Sequence, residues 1–144
     1  MGISGGEFRL YVDGAARGNP GPAGAGGVLM LNGQVVGRLS VFLGTRTNNE
    51  AEYEALIRGL ALAVDQGVRG LEVCMDSELV VRQMQGNYKV KQARLAELHV
   101  QAQKLTAGFE RVVFTHVPRT ENKLADKQAN LAIDDHEFLK KLKK

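Results

Sequence analysis

The chain has 144 residues, a 44% hydrophobic content and a net charge of +3, which describes one soluble globular domain large enough to bury a core of its own. No apolar run approaches the ~20 residues of a bilayer span, and the N-terminus MGISGGEF lacks the basic-then-apolar order of a secretory signal. The single cysteine, Cys74, excludes an intrachain disulfide framework and a cysteine-based metal cluster, and suits a reducing cytoplasm.

Phe8 to Asp13 alternates apolar and polar β-formers and reads as a strand. It runs into GAARGNPGPAGAG, a Gly- and Pro-rich turn. Ala25 to Leu31 is a second strand. Asn32-Gly33 is a hairpin signal, and Val35 to Leu43 returns as a third strand. A helix follows, entered through Asn48 and Asn49 and ending near Gly67. Leu71 to Asp76 is a short apolar strand, after which Ser77 caps a helix over about Glu78 to Gln85. Leu95, Leu98, Ala102 and Leu105 mark an amphipathic helix over Gln92 to Thr106. Arg111 to Val117 is the fifth strand, stopped by Pro118. Thr120 caps a helix to about Ile133, with Leu124, Ala125, Gln128, Ala129, Leu131 and Ala132 on its buried side. Asp134-Asp135 interrupts it, and residues 134–144 form a short basic helix or tail. The order βββαβα(α)βα places the chain in the α/β class. It predicts one domain over residues 1–144, with a core from about 7 to 133. Its sheet is mixed, with strands 1, 4 and 5 parallel, the first three strands antiparallel, and helices on both faces.

The first helix carries Glu50, Glu52 and Glu54 in its opening turns. Leu56, Leu60, Ala63 and Val64 define a buried stripe, and only Glu52, four residues before Leu56, continues it. Glu50 and Glu54, each about 200° away at ~100° per residue, are predicted to face water. An inward carboxylate is costly unless it is paired or bound to a metal. Asp13 and Asp76 end strands one and four, the natural central neighbours, whose carboxyl ends are where open α/β sheets place ligands. Asp126 sits in the first turns of the last helix. Four acids able to converge on one sheet edge repel one another and need cations. Oxygen-only ligation points to Mg²⁺ or Mn²⁺. Two such ions ~3.5–4 Å apart are the usual device for in-line phosphodiester cleavage.

Four segments, YVDGAARGNPGPAGAG, TRTNNEAEYEAL, DSELVVRQMQGNYKVK and HVPRTENKLADKQAN, occur in this order with the elements above between them. Over about Phe8 to Leu131 the chain resembles ribonuclease H type 1, in the branch of small bacterial and archaeal enzymes. The resemblance implies a five-stranded ribonuclease H-like fold and endonucleolytic cleavage of the RNA strand of an RNA–DNA hybrid. The family's Asp, Glu, Asp, Asp site falls by motif on Asp13, Glu52, Asp76 and Asp126. Asp13 would bridge two ions, one activating water and the other stabilising the departing 3′ oxygen, to leave 5′-phosphate and 3′-hydroxyl ends. Reading of the 2′-hydroxyl would fall to Gly14, Asn19, Asn48, Asn49 and Glu52. Thr47 matches a phosphate-contacting threonine.

The chain departs from the larger bacterial enzymes in two ways. Their basic protrusion is absent, since only NYKVK separates Gly86 from Gln92, leaving Lys89 and Lys91 as partial replacements. The mobile histidine often found before the last aspartate corresponds to His116, which the pattern RVVFTHVPR places in a strand, and Arg119 is the other candidate for that task. His99 and His136 read as surface residues. Partners expected on this resemblance are an RNA–DNA hybrid and possible double-stranded RNA, with no membrane, for a cytoplasmic monomer. The alternatives are a non-catalytic hybrid-binding module, which predicts loss of at least one acid, and a transposase core or junction resolvase of the same superfamily. Those two lack the NNxAEY helix start and the GNPGP loop in combination.

Overall fold

A computed structural model of the chain describes residues 7–143. The reading of the first six residues as carrying no secretory signal lies outside that span. Strands β1 (Phe8–Ala16), β2 (Gly21–Leu31) and β3 (Gln34–Arg46) form an antiparallel meander. Helix α1 (Asn48–Asp65), strand β4 (Gly70–Met75), helices α2 (Glu78–Met84) and α3 (Ala93–Thr106), strand β5 (Arg111–His116) and helix α4 (Lys123–Leu142) complete the chain. The sheet order is β3-β2-β1-β4-β5, with β4 parallel to both β1 and β5.

The Gly/Pro-rich segment contributes more strand than its composition predicts. Gly14 pairs with Ala25 and Ala16 with Ala23, so the loop shrinks to residues 17–20. Asp13 therefore lies within β1 rather than at its end. What ends beside it is the pairing of β1 with β4, whose last partners are Tyr11 and Cys74. The two central strands separate there, and the site forms in the opening.

Glycines set the distance of the helices from this opening. A Cβ on Gly26, the β2 partner of Asp13, would lie 2.2 Å from the Ala129 backbone nitrogen of α4. A Cβ on Gly14 would lie 2.1 Å from the Ala51 carbonyl carbon of α1. Only a residue without a side chain allows backbones this close. The consequence is that α1 presses its first turn against β1 from one face and α4 its second turn against β2 from the other.

Helix α1 departs from the single-stripe reading. Its buried residues are Ala51, Tyr53, Glu54, Ala55, Leu56, Gly59, Leu60 and Ala63, whereas Val64 is 38% exposed. The helix is wedged between the sheet and α3, so it has two packing faces and a wide buried arc. Glu54 falls in that arc and is buried, contrary to its expected solvent position, because the Arg46 guanidinium donates a hydrogen bond to its carboxylate. Glu50 is half-buried and closes a capping box with Thr47, which is the N-cap instead of Asn48 or Asn49.

Helix α4 is continuous through Asp134-Asp135. Asp134 pairs with Arg17 at 2.7 Å, and His136 stacks on Phe42 of β3 with ring centroids 3.7 Å apart, which holds the later turns against the sheet. Ala125, Ala129, Ala132 and Ile133 face inward, while Leu124 and Leu131 are exposed. A helix riding on glycines buries its small residues. Thr120 lies in a 3-10 turn, Arg119–Glu121, and Asn122 directly precedes the helix. Among the described residues no helix is long and apolar enough to cross a membrane.

Candidate active site

Three of the four acids come together. Carboxylate oxygens of Asp13, Glu52 and Asp76 lie within 4.8 Å of one another. Asp13 is 6% exposed on β1, Glu52 is half-buried in the first turns of α1, and Asp76 follows β4. The Gly14 backbone N–H donates to Glu52 Oε1 at 2.8 Å, which fixes that side chain. Asp126 stands further out. It is exposed on α4 and lies outside the group of three, and its charge adds to the upward pressure on the Asp13 carboxyl.

Burial, then Glu52 and Asp76 beside it, holds the Asp13 carboxyl far above the usual carboxylate range. Burial also raises Glu52, against the lowering effect of the Gly14 N–H. Such a group binds a proton unless a cation takes the proton's place. Fixed, crowded, oxygen-only donors are what a hard divalent cation requires. The arrangement fits a metal of that kind, held by Asp13, Glu52 and Asp76 with Asp126 at its margin.

A stability test follows, with its sign set by the upward shifts. Between the unfolded carboxyl value near ~4 and the raised folded values, the folded chain binds more protons than the unfolded one. Without metal, these two groups therefore lose stability for the fold as pH rises through that window. Calorimetry in EDTA and in Mg²⁺ should show a metal-induced rise in melting temperature that is larger at pH 8 than at pH 5.5. An equal rise at both values would mean that the cation binds away from these carboxyls.

One residue at the site carries no signal in the sequence. Asn122, 1% exposed, donates from its amide to the Val12 carbonyl at 3.0 Å and to Asp76 Oδ1 at 2.9 Å. Val12 is the residue after the last β1–β4 pair, so its carbonyl has lost a strand partner and takes this amide instead. Among the described residues the Asn122 Oδ1 is buried without a partner. A helix-preceding Asn reads as a cap, and its own side chain makes no capping bond here.

The remaining candidates divide. Asn19 Oδ1 accepts from the Asn48 backbone N–H at 3.0 Å, tying the loop after β1 to the start of α1. Asn48 is exposed and Asn49 half-buried at this junction. The Thr47 hydroxyl accepts from the Glu50 N–H at 3.2 Å. Lys89 and Lys91, with Asn49, Tyr88 and Gln92, line a shallow groove of about 580 Å³. Buried Gln83 holds that loop by donating to the Lys89 carbonyl at 3.3 Å, and it accepts from the Tyr53 hydroxyl at 2.5 Å. His99 is half-buried rather than on the surface, with its Nε2 3.2 Å from the Gln83 carbonyl oxygen. Arg119 places its Nε 3.7 Å from Asp76 Oδ2 with 90% of its side chain exposed. His116 ends β5 as an exposed residue, and among the described residues it makes no hydrogen bond or ion pair with the acids.

Residues 11–132 match a family model described as reverse transcriptase-like. The chain is 44% identical over 132 residues to ribonuclease HI of the archaeon Halobacterium salinarum, covering 91% of this chain and 66% of that protein. It is 48% identical over 127 residues to a bifunctional protein of Mycobacterium tuberculosis, covering 87% of this chain and 35% of that one. It thus spans less than two thirds of either relative. Among solved structures, LC11-RNase H1 in complex with an RNA/DNA hybrid superimposes with a TM-score of 0.86 at 44% identity, over 90% of this chain and 99% of the other. Sheet order, acid cluster and these likenesses agree: the chain belongs to the ribonuclease H type 1 family.

Proposed function

We propose that this chain is an endonuclease that hydrolyses the RNA strand of RNA–DNA hybrids, using two Mg²⁺ ions for which Mn²⁺ can substitute. The observation that carries the reading is the convergence of Asp13, Glu52 and Asp76 within 4.8 Å where β1 and β4 part. A hybrid-binding module has no use for buried carboxyls that resist ionisation. A transposase core or junction resolvase is disfavoured by the 44% identity to named ribonucleases H.

When bound, the metal supplies the charge that makes water a nucleophile and neutralises the departing 3′ oxygen. The residues do the rest. Asp13, central in the cluster, would be shared between the two ions. Glu52 offers one oxygen there while Gly14 restrains the other. Asp76 is aimed by Asn122, and Asp126 closes the outer side. Asn19 and Asn48, which the 3.0 Å bond joins, would read the 2′-hydroxyl together with Gly14 and Asn49. Thr47 contributes to holding a phosphate beside its capping role. Arg119 is the auxiliary group in preference to His116, because it already reaches an acid of the cluster and is free to swing. The reading extends to a monomer in the cytoplasm, with double-stranded RNA as the second substrate to test.

Incubation of labelled RNA–DNA hybrid, double-stranded RNA, double-stranded DNA and single strands in Mg²⁺, Mn²⁺ or EDTA tests the proposal. The expected result is cleavage of the RNA in the hybrid alone or far ahead of the others, and none in EDTA. Equal cleavage of double-stranded DNA, or turnover in EDTA, would refute it.

Affinity is expected to rest partly on the groove. Lys89→Ala combined with Lys91→Ala should weaken hybrid binding and flatten its salt dependence, by ~0.7–0.9 in the slope of log K for each phosphate no longer neutralised. Cleavage at saturating hybrid should stay near wild type. Titrations at several salt concentrations in Ca²⁺ measure this, and an unchanged slope would place the phosphate-binding groups elsewhere.

A further inference from the structure

Asp126 differs from the other acids in being exposed. A lone exposed aspartate samples several rotamers, so holding a metal there requires something to restrain it. Along α4, Asp126, Asn130 and Asp134 recur every four residues and form one ridge. The Asn130 amide nitrogen lies 3.0 Å from the Asp126 carbonyl oxygen and 3.2 Å from its Oδ1. Arg17, in the loop four residues after Asp13, lies across the ridge. Its Nη2 is 3.2 Å from Asn130 Oδ1, 3.5 Å from the Asn130 carbonyl oxygen and 2.7 Å from Asp134 Oδ1.

The chemistry of these groups allows one arrangement. A guanidinium only donates, so the Asn130 oxygen must face Arg17 and its NH₂ must face Asp126. That NH₂ fixes one oxygen of the Asp126 carboxylate and leaves the other for the site. Asp134 neutralises Arg17 and holds it in place. We infer that Arg17, acting through Asn130 and anchored by Asp134, is a positioning residue for the Asp126 carboxylate; this rests on the proposed role of Asp126 in holding metal. The relay also ties the loop next to Asp13 to the helix that carries the fourth acid, so the two move together.

The rival role for Arg17 is a direct phosphate contact, and the two separate experimentally. Arg17→Ala, Asn130→Ala, the double variant and Asp126→Ala are compared with wild type by Mn²⁺ titration calorimetry without nucleic acid, and by steady-state cleavage of hybrid. The relay gives a weakening of Mn²⁺ binding and a fall in kcat of about three- to tenfold in Arg17→Ala and in Asn130→Ala, the scale of one net intramolecular hydrogen bond. KM should be unchanged, and the double variant should be no worse than Asn130→Ala. Arg17→Ala with normal Mn²⁺ binding, normal kcat and a raised KM would overturn the relay in favour of a phosphate contact. So would additive losses in the double variant. Should Asp126→Ala leave Mn²⁺ binding and kcat intact, the role of Asp126 itself fails. Loss in Asp126→Ala without loss in Asn130→Ala defeats the relay alone.

Discussion

Asp13→Asn is expected to reduce hybrid cleavage at least about a thousandfold while making the metal-free protein more stable. The first effect follows from charge. Asp13 is the most buried of the four acids, and its carboxylate lies within 4.8 Å of those of Glu52 and Asp76. Removing its charge would weaken the proposed metal site, and metal stabilisation of the transition state amounts to several kcal/mol, or roughly three decades in rate. The second effect has the opposite sign. In the absence of metal, neighbouring carboxylates and burial work against an ionised Asp13. Asparagine keeps the shape and removes the repulsion. A gain of about 1 kcal/mol corresponds to ~4 °C in melting temperature for a domain of this size. Calorimetry in EDTA and cleavage assays in Mg²⁺ read the two effects separately. An inactive variant that is also unfolded would indicate that Asp13 acts structurally instead.

The second large contrast is between two glutamates half a turn apart. Glu52→Gln is expected to lose activity by a similar factor with little change in fold, since glutamine can still accept from the Gly14 N–H. Glu54→Gln is expected to cost stability, about 1–3 kcal/mol, because Arg46 loses its charged partner in a partly buried setting. Its kcat should stay near wild type. Glu50→Gln, which weakens a capping box, should fall between them in stability and also retain activity. Melting temperature and kcat for the three variants decide the matter. Loss of kcat in folded Glu54→Gln would reverse the assignment of the two residues.

That contrast also shows what the sequence could and could not reveal. Glu52 was legible because its neighbours by motif and by spacing agreed. Glu54 was misplaced because a stripe drawn from Leu56, Leu60 and Ala63 assumes one packing surface, and α1 has two. The same assumption put Leu124 and Leu131 inside α4, where the glycines of β2 select alanines instead. The five strands and their directions were readable from β-formers, turn residues and the order of elements. Their lengths were not, because a Gly/Pro-rich run that looks like a loop can still pair, as Gly14 does with Ala25. Asn122 was invisible because its role depends on a carbonyl 110 residues away that loses its strand partner only when the sheet splays. The continuity of α4 through Asp134-Asp135 was hidden as well, because the ion pair of Asp134 with Arg17 joins residues far apart in the chain.

If the acids serve the proposed metal-assisted attack by water, the termini of the cleaved RNA record it. A hybrid labelled in its RNA strand is cut in Mg²⁺ and the new ends are identified. Water as nucleophile gives a 5′-phosphate and a 3′-hydroxyl at every cut, which is the result expected. A 2′,3′-cyclic phosphate with a 5′-hydroxyl would show that the neighbouring 2′-hydroxyl attacks, and would contradict the account.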